Sequence, residues 1–220
     1  MSGSGTGTIV SVTALVSWAL TDLDTVKEFL GITVDTYNDL LSKLINSASA
    51  FMEQTTSRKL KARDYSYALA ADKFDTWYDG DNSKKIFLRQ WPLNSVTSPI
   101  LISGASIAVA GSTDYYASTG YVSYDLRGEL YYANGFDAGK LNVRVSYNAG
   151  YSTTSPGYLE LQMVCNELVG LVYSEKDKLS FKSEKIGNYS YTIRDAKEVS
   201  ERGITNAVAI LQKYRRQLSG

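Results

Sequence analysis

Histidine is absent from the chain. Its absence excludes serine–histidine and cysteine–histidine catalysis, histidine proton relays and histidine-based zinc sites in one step. A single cysteine, Cys165, means that no internal disulfide can form. A secreted scaffold stapled by disulfides is thereby excluded, and assembly in a reducing cytosol is permitted. No lysine or arginine precedes Lys27, so the fairly apolar stretch Ile9–Leu20 lacks the basic lead of a signal peptide. That stretch is also too short and too rich in Ser and Thr to span a membrane. It reads as a soluble, extended arm behind a flexible leader, Ser2-Gly3-Ser4-Gly5-Thr6-Gly7. No strand precedes those glycines, so they do not make a phosphate loop. An excess of one charge is missing too. Lys+Arg and Asp+Glu both number 23, whereas a sequence-specific DNA binder carries a basic excess.

The 220 residues suffice for one compact domain or two small ones, with a core that needs neither disulfide nor metal. Seventeen tyrosines are many for this length. They suit interfaces, where a large ring with a polar tip is useful, and they equally suit a β-rich region. The balanced charge is unevenly placed. From Glu175 to Gly220 ten basic residues face six acidic ones, and the rest of the chain is acidic by the same margin. A basic end of this kind is a docking surface for an acidic partner or a solvated tail.

Helical and extended patterns alternate along the chain. Thr21 reads as an N-cap for a helix whose apolar face is Leu23, Val26, Phe29 and Leu30, with Gly31 as its stop. A second helix is expected from about Thr36 to Ser57, because Tyr37, Leu40, Leu41, Leu44, Ile45, Ala48, Phe51 and Met52 recur at three- and four-residue steps. From Arg63 to Asn148 the pattern becomes short runs rich in Tyr, Val and Ile: Tyr65–Leu69, Lys85–Leu88, Thr97–Ile102, Glu129–Tyr132 and Leu141–Tyr147. Asp79-Gly80-Asp81-Asn82 and Ala133-Asn134-Gly135 read as turns between them, which predicts a small antiparallel sandwich or barrel. Helix returns at Pro156, carrying Leu159, Met163, Val164, Leu168, Leu171 and Val172. Lys178–Ile186 and Tyr189–Ile193 flank Gly187-Asn188 as a hairpin or extended excursion. A final helix is expected from about Thr205 to Leu218, after a break at Gly203. The expected fold class is α+β, with N- and C-terminal helices forming a bundle around an inserted β domain. The boundaries are an arm at 1–19, helical core at 20–62 and 152–220, and β insertion at 63–151.

Chemistry is sparse. Asp72, Asp75, Asp79 and Asp81 cluster, but Asp79–Ser83 lacks the later glycine and bidentate glutamate of a calcium loop, so turn chemistry accounts for it. Asp125 and Glu129 flank a hairpin turn and show no sign of a carboxylate pair tuned for glycoside hydrolysis. Cys165 sits among apolar residues as a small buried thiol. Exposed aromatics could stack single-stranded nucleic acid, but the β region has no basic stripe to accompany them. No catalytic, cofactor-binding or metal-binding residue is assigned, and no cofactor is expected.

Several segments, in order, resemble phage head–tail connector proteins, also called adaptors or head-completion proteins. They are Leu20–Ile32, Leu40-Leu41 with Ile45–Glu53, Thr56–Leu60, Tyr78–Asp81, Leu88–Leu93, Val145–Tyr151, Ser183–Tyr191 and Tyr214-Arg215-Arg216. The resemblance implies a non-enzymatic ring of about twelve subunits, closed by heterologous contacts, in the virion neck between capsid and tail. Its partners would be the portal protein, neighbouring copies and a stopper or tail-completion protein, with genomic double-stranded DNA passing through unread, no membrane, and assembly in the host cytoplasm. The apolar stripe Val208, Leu211 and Tyr214 beside Lys213, Arg215 and Arg216 becomes the expected portal-docking element. Ile186, Gly187, Asn188, Tyr189 and Tyr191 become an expected inter-subunit hairpin. The competing reading is a carbohydrate- or host-binding β module of a tail or baseplate, which leaves the flanking helices unexplained.

Overall fold

The computed structural model describes residues 12–109, 122–124, 127–175 and 196–215. In chain order the elements are α1 (Leu23–Leu30), α2 (Asn38–Thr56), β1 (Arg63–Tyr65), α3 (Lys73–Thr76), β2 (Trp77–Gly80), β3 (Lys85–Phe87), β4 (Leu93–Ile102), β5 (Ala105–Ile107), β6 (Val122–Tyr124), β7 (Glu129–Tyr132), β8 (Gly139–Ala149), α4 (Pro156–Glu175) and α5 (Ala196–Leu211). Helices and antiparallel sheets together make it a mixed α and β fold. The chain divides into two compact units, Met1–Ser57 with Leu159–Gly220, and Arg58–Tyr158.

The first unit is helical. Asp22 caps α1 by accepting from the Thr25 amide at 2.9 Å, and Gly31 ends it with φ of 67°. The cap is therefore not the expected Thr21. That residue is buried, and its hydroxyl donates to Asn166 at 2.7 Å, so a tertiary bond claims the group that could have capped. Helix α2 buries Leu41, Ile45, Ala48 and Met52 at helical spacing and ends at Ser57 in the left-handed region. Leu40 and Phe51, expected on the same face, are exposed. Helix α4 buries Leu161, Val164, Cys165, Leu168 and Val169, while Leu159, Met163 and Val172 point outward.

The last helix departs most from expectation. Gly203 lies inside α5 and breaks nothing, and the helix closes at Leu211 with a 3₁₀ turn over Gln212–Tyr214. A Cβ on Gly203 would lie 2.5 Å from a Leu171 methyl. The glycine is there for close packing against α4, and helix hydrogen bonding carries the chain through it. The expected hairpin near 179–194 lies outside the described residues, as do 1–11.

Residues 12–19, within the expected arm, run along α2. Thr13 donates its amide and its hydroxyl to Asp39 Oδ1, at 2.8 and 2.6 Å. The Val16 amide donates to Asn46 Oδ1 at 3.0 Å, and the Asn46 amide donates back to the Ala14 carbonyl. The Leu20 amide donates to Ser49 Oγ at 3.0 Å. Non-helical backbone has no ladder of its own, so these side chains satisfy it.

The second unit is built on β8. Strand β4 pairs with one edge of β8, while β1 and β2 pair with residues 147–149 and 139–144 on the other. Strand β5 extends the sheet beyond β4, and β3, β7 and β6 form a second antiparallel sheet. Alternate residues Val143, Val145, Tyr147 and Ala149 enter a core shared with Ile86, Leu130, Tyr132 and Val122 of the other sheet. The Tyr65 and Tyr147 rings stack at 5.0 Å within it. The expected strand Tyr65–Leu69 is shorter than the pattern suggests. After Tyr65 the chain turns, with the Ser66 amide held by Asp72 and the Leu69 amide by the Ser66 carbonyl. At Gly80 a Cβ would meet the Asp137 carbonyl oxygen at 2.0 Å, so only glycine fits where β2 ends.

Candidate functional site

The expected docking residues divide by environment. Leu211 is fully buried and Tyr214 nearly so, while Val208 is half-buried. The Lys213 ammonium and the Tyr214 hydroxyl both donate to the Glu160 carboxylate of α4. The hydrogen bond from Lys213 chiefly, then that from Tyr214, holds the Glu160 carboxyl below its usual range. Arg215 follows the 3₁₀ turn in extended backbone and is exposed. Arg216 lies outside the described residues, as do Ile186, Gly187, Asn188, Tyr189 and Tyr191. The segment thus anchors itself with Leu211 and Tyr214, uses Lys213 to hold Glu160, and presents Arg215.

A second surface belongs wholly to the helical unit. Leu44, Ala48 and Phe51 of α2, Leu168 and Val172 of α4, and Ile204 of α5 line an apolar groove of about 410 Å³. Phe51, Val172 and Ile204 are exposed along it. The periodicity of α2 and α4 assigned these side chains to a core stripe. The signal for the groove was an apolar face wider than one packing partner covers.

In the β unit, several polar side chains are tied together around Asp75. Asp75 accepts from Lys59 Nζ at 2.8 Å and from Gln90 Nε2 at 3.0 Å. Its carbonyl accepts from the Tyr147 hydroxyl at 2.8 Å and from that of Tyr78. Burial pushes both phenols well above their ordinary range, so they serve as neutral donors. The Arg58 guanidinium lies 3.5 Å from the centre of the Trp91 ring and donates to the Trp91 carbonyl. The acidic cluster makes turns: Asp72 holds the Ser66 amide, Asp79 that of Leu141, and Asp81 that of Ser83. Glu129 is buried and paired with Lys85 at 2.7 Å, and Asp125 lies outside the described residues. Cys165 is buried against Ser49 Oγ, and burial lifts its thiol to about 11. Among the described residues no group of three or more Cys, Asp or Glu side chains could hold a metal ion. No described helix is long and apolar enough to cross a membrane.

No curated protein matches the chain. Among solved structures it is similar to a chain titled as the neck of an empty GTA particle computed with C6 symmetry. The two are 15% identical over 96% of this chain and 97% of that one, with a TM-score of 0.49. A profile described as head completion protein matches residues 19–217, nearly the whole length. By that match the chain belongs to the head completion protein family.

Proposed function

We propose that the protein is a structural adaptor of a tailed-phage neck. About twelve copies form a ring that docks on the portal, extends the DNA channel and offers a platform to the next neck or tail protein. The observation that carries this reading is the family match over residues 19–217. The surfaces agree with it, since they offer an apolar groove and an exposed arginine. The genome passes through the ring without sequence-specific contact, in keeping with a chain of zero formal charge. The protein acts in the virion after assembly in the host cytoplasm.

Portal attachment is assigned to the end of the chain, where Arg215 and Arg216 follow the anchored turn. Truncation is the wrong test, because removing 204–220 also strips Ala207, Leu211 and Tyr214 from the core. Reversal of both arginines to glutamate leaves those anchors in place. The expected result is a folded subunit that sediments with portals less well and with a weaker dependence on salt. Wild-type sedimentation by that variant moves the docking surface elsewhere. Absence of any portal binding by the wild-type chain overturns the adaptor reading.

A further inference from the structure

The cations of the β unit are held in two ways. Lys59 and Lys85 pair with the carboxylates of Asp75 and Glu129 at 2.8 and 2.7 Å, which cancels their charge. Lys73 and Arg144 rest on a ring instead. The Lys73 ammonium lies 4.5 Å from the centre of the Trp77 ring and the Arg144 guanidinium 3.9 Å from it. A ring orients a cation without neutralising it. Neither cation has a carboxylate partner among the described residues. The register places them. Trp77 of β2 stands opposite Arg144 of β8, and Val143 and Val145 on either side of Arg144 enter the core, so Trp77 and Arg144 lie on the outer face of the sheet. Lys73 is exposed beside them.

A cleft of about 400 Å³ opens on the same face, where Arg144 is joined by Lys140, Asn142, Ser103 and Gly104. Lys140 is exposed and has no carboxylate partner among the described residues. Asn142 Nδ2 donates to Ser103 Oγ at 3.2 Å, which leaves the Ser103 hydroxyl proton free to donate. A Cβ on Gly104 would meet nothing within 4 Å, so the approach is open. Asp79 accepts from the Leu141 amide at 2.6 Å but does not line the cleft. Arg89 takes no part. It donates to the Phe74 and Trp77 carbonyls, and its own cleft is lined by Asp79 and Asp81. The sequence shows no basic stripe here because the three cations stand at 73, 140 and 144, and only the pairing of β2 with β8 brings them to one face.

We infer that this face binds the phosphodiester backbone of duplex DNA, with Lys73, Lys140 and Arg144 on phosphates and Ser103 as a further donor. Cations and a hydroxyl donor are the complement of phosphate oxygens. Two of the three cations are lysines, which protein–protein interfaces deplete, and this favours a polyanion over an acidic protein surface. Trp77 is half-buried and already carries two cations, so no free ring is offered to a splayed base. The contact is therefore with the backbone and is blind to sequence. One copy makes few phosphate contacts and binds weakly, and a ring of copies multiplies them. The inference rests on the channel reading above, which brings DNA to the protein, and it names the face that meets it.

The test uses the full-length chain and two labelled DNA duplexes of unrelated sequence, with binding read by fluorescence anisotropy over a range of salt. Wild type binds both duplexes equally, and affinity falls as salt rises. In Lys140→Gln with Arg144→Gln the log–log salt slope becomes shallower by about 1.8, which is two phosphate contacts at about 0.9 each. Because Arg144 packs on Trp77, a second pair, Lys73→Gln with Lys140→Gln, changes exposed side chains only and shows the same shift. Lys43→Gln, in the helical unit, leaves the slope unchanged. Failure of wild type to bind either duplex at low salt overturns the inference. A wild-type slope in both pairs also overturns it, and assigns DNA binding to cations elsewhere. A wild-type slope combined with weaker sedimentation on portals makes the partner an acidic protein surface and overturns it as well. A shifted slope in a chain that never sediments with portals supports the DNA face and overturns the ring reading alone.

Discussion

The two units use polar side chains for different purposes. In the helical unit, Asp39, Asn46 and Ser49 accept backbone amides from residues that belong to no helix. In the β unit, Asp75, Gln90, Lys59, Tyr78 and Tyr147 bond chiefly to one another and to a single backbone carbonyl. A helix satisfies the backbone of its own interior, so the α2 side chains that accept backbone amides do so where irregular chain packs against it. Chain that turns repeatedly between short strands leaves polar groups in several directions, and a closed network must satisfy them together. The β unit should therefore be brittle to loss of one polar group, and the helical unit brittle to loss of apolar volume.

The largest expected effect follows from that difference. Asp75→Ala leaves the Gln90 amide and the Lys59 ammonium without their acceptor, at a cost of about 4 kcal/mol. Denaturant titration read by Trp77 and Trp91 fluorescence should show the midpoint falling by that equivalent. A change under about 1 kcal/mol would show that water replaces the carboxylate and that the network is not closed. In the helical unit the corresponding break is apolar. Ile45→Ala empties a fully buried site and costs about 3 kcal/mol, read from helix ellipticity. By contrast, Ser42→Ala, at a buried polar position of the same helix, should cost much less. Equal losses at the two positions would erase the distinction between the units.

Gly203 sharpens the comparison at smaller scale. Gly203→Val places a Cβ 2.5 Å from a Leu171 methyl and adds two methyls beside it, and the expected loss is about 2 kcal/mol. A gain in stability would show that α5 tolerates the added volume and that helix propensity decides instead.

Much of this was legible because it is periodic. Gly31 as a stop, the Leu41–Ile45–Ala48–Met52 stripe, the start of α4 at Pro156 and the strand Glu129–Tyr132 all follow from spacing and local chemistry. What spacing cannot weigh is competition. Thr21 and Asp22 can both cap, and only the distant Asn166 decides which one does. Gly203 has the sequence signature of a break, yet its neighbour across the helix pair makes it a packing residue. At the candidate docking site the cations were visible in the sequence, but Glu160, which holds Lys213, lies far back in the chain. One signal was available and unused. Asp39, Asn46 and Ser49 lie seven and three residues apart, a polar row on the face of α2 that receives residues 13–20.

That row gives the smallest effect and the cleanest sign. Hydrogen bonds from Lys43 and then from Thr13 lower the Asp39 carboxyl from its ordinary 3.8 to about 2. A carboxylate whose folded value is depressed contributes stability that is present above its unfolded value and lost as pH falls through the folded one. The Thr13 clasp should therefore be complete above about pH 4 and open progressively towards pH 2. Asn46 and Ser49 do not titrate there, so Val16 and Leu20 should stay held while Thr13 is released. The Thr13 amide proton reports this directly, since it donates to the titrating oxygen. Its NMR shift should move with a midpoint near 2, while the Leu20 amide stays unmoved over the same range. Asp39→Asn keeps an acceptor oxygen but removes the charge, and should abolish the titration while leaving the Leu20 amide protected. A Thr13 midpoint near the ordinary carboxylate value would mean that solvent competes successfully for Asp39. Asn46 would then still hold the Ala14 carbonyl and the Val16 amide.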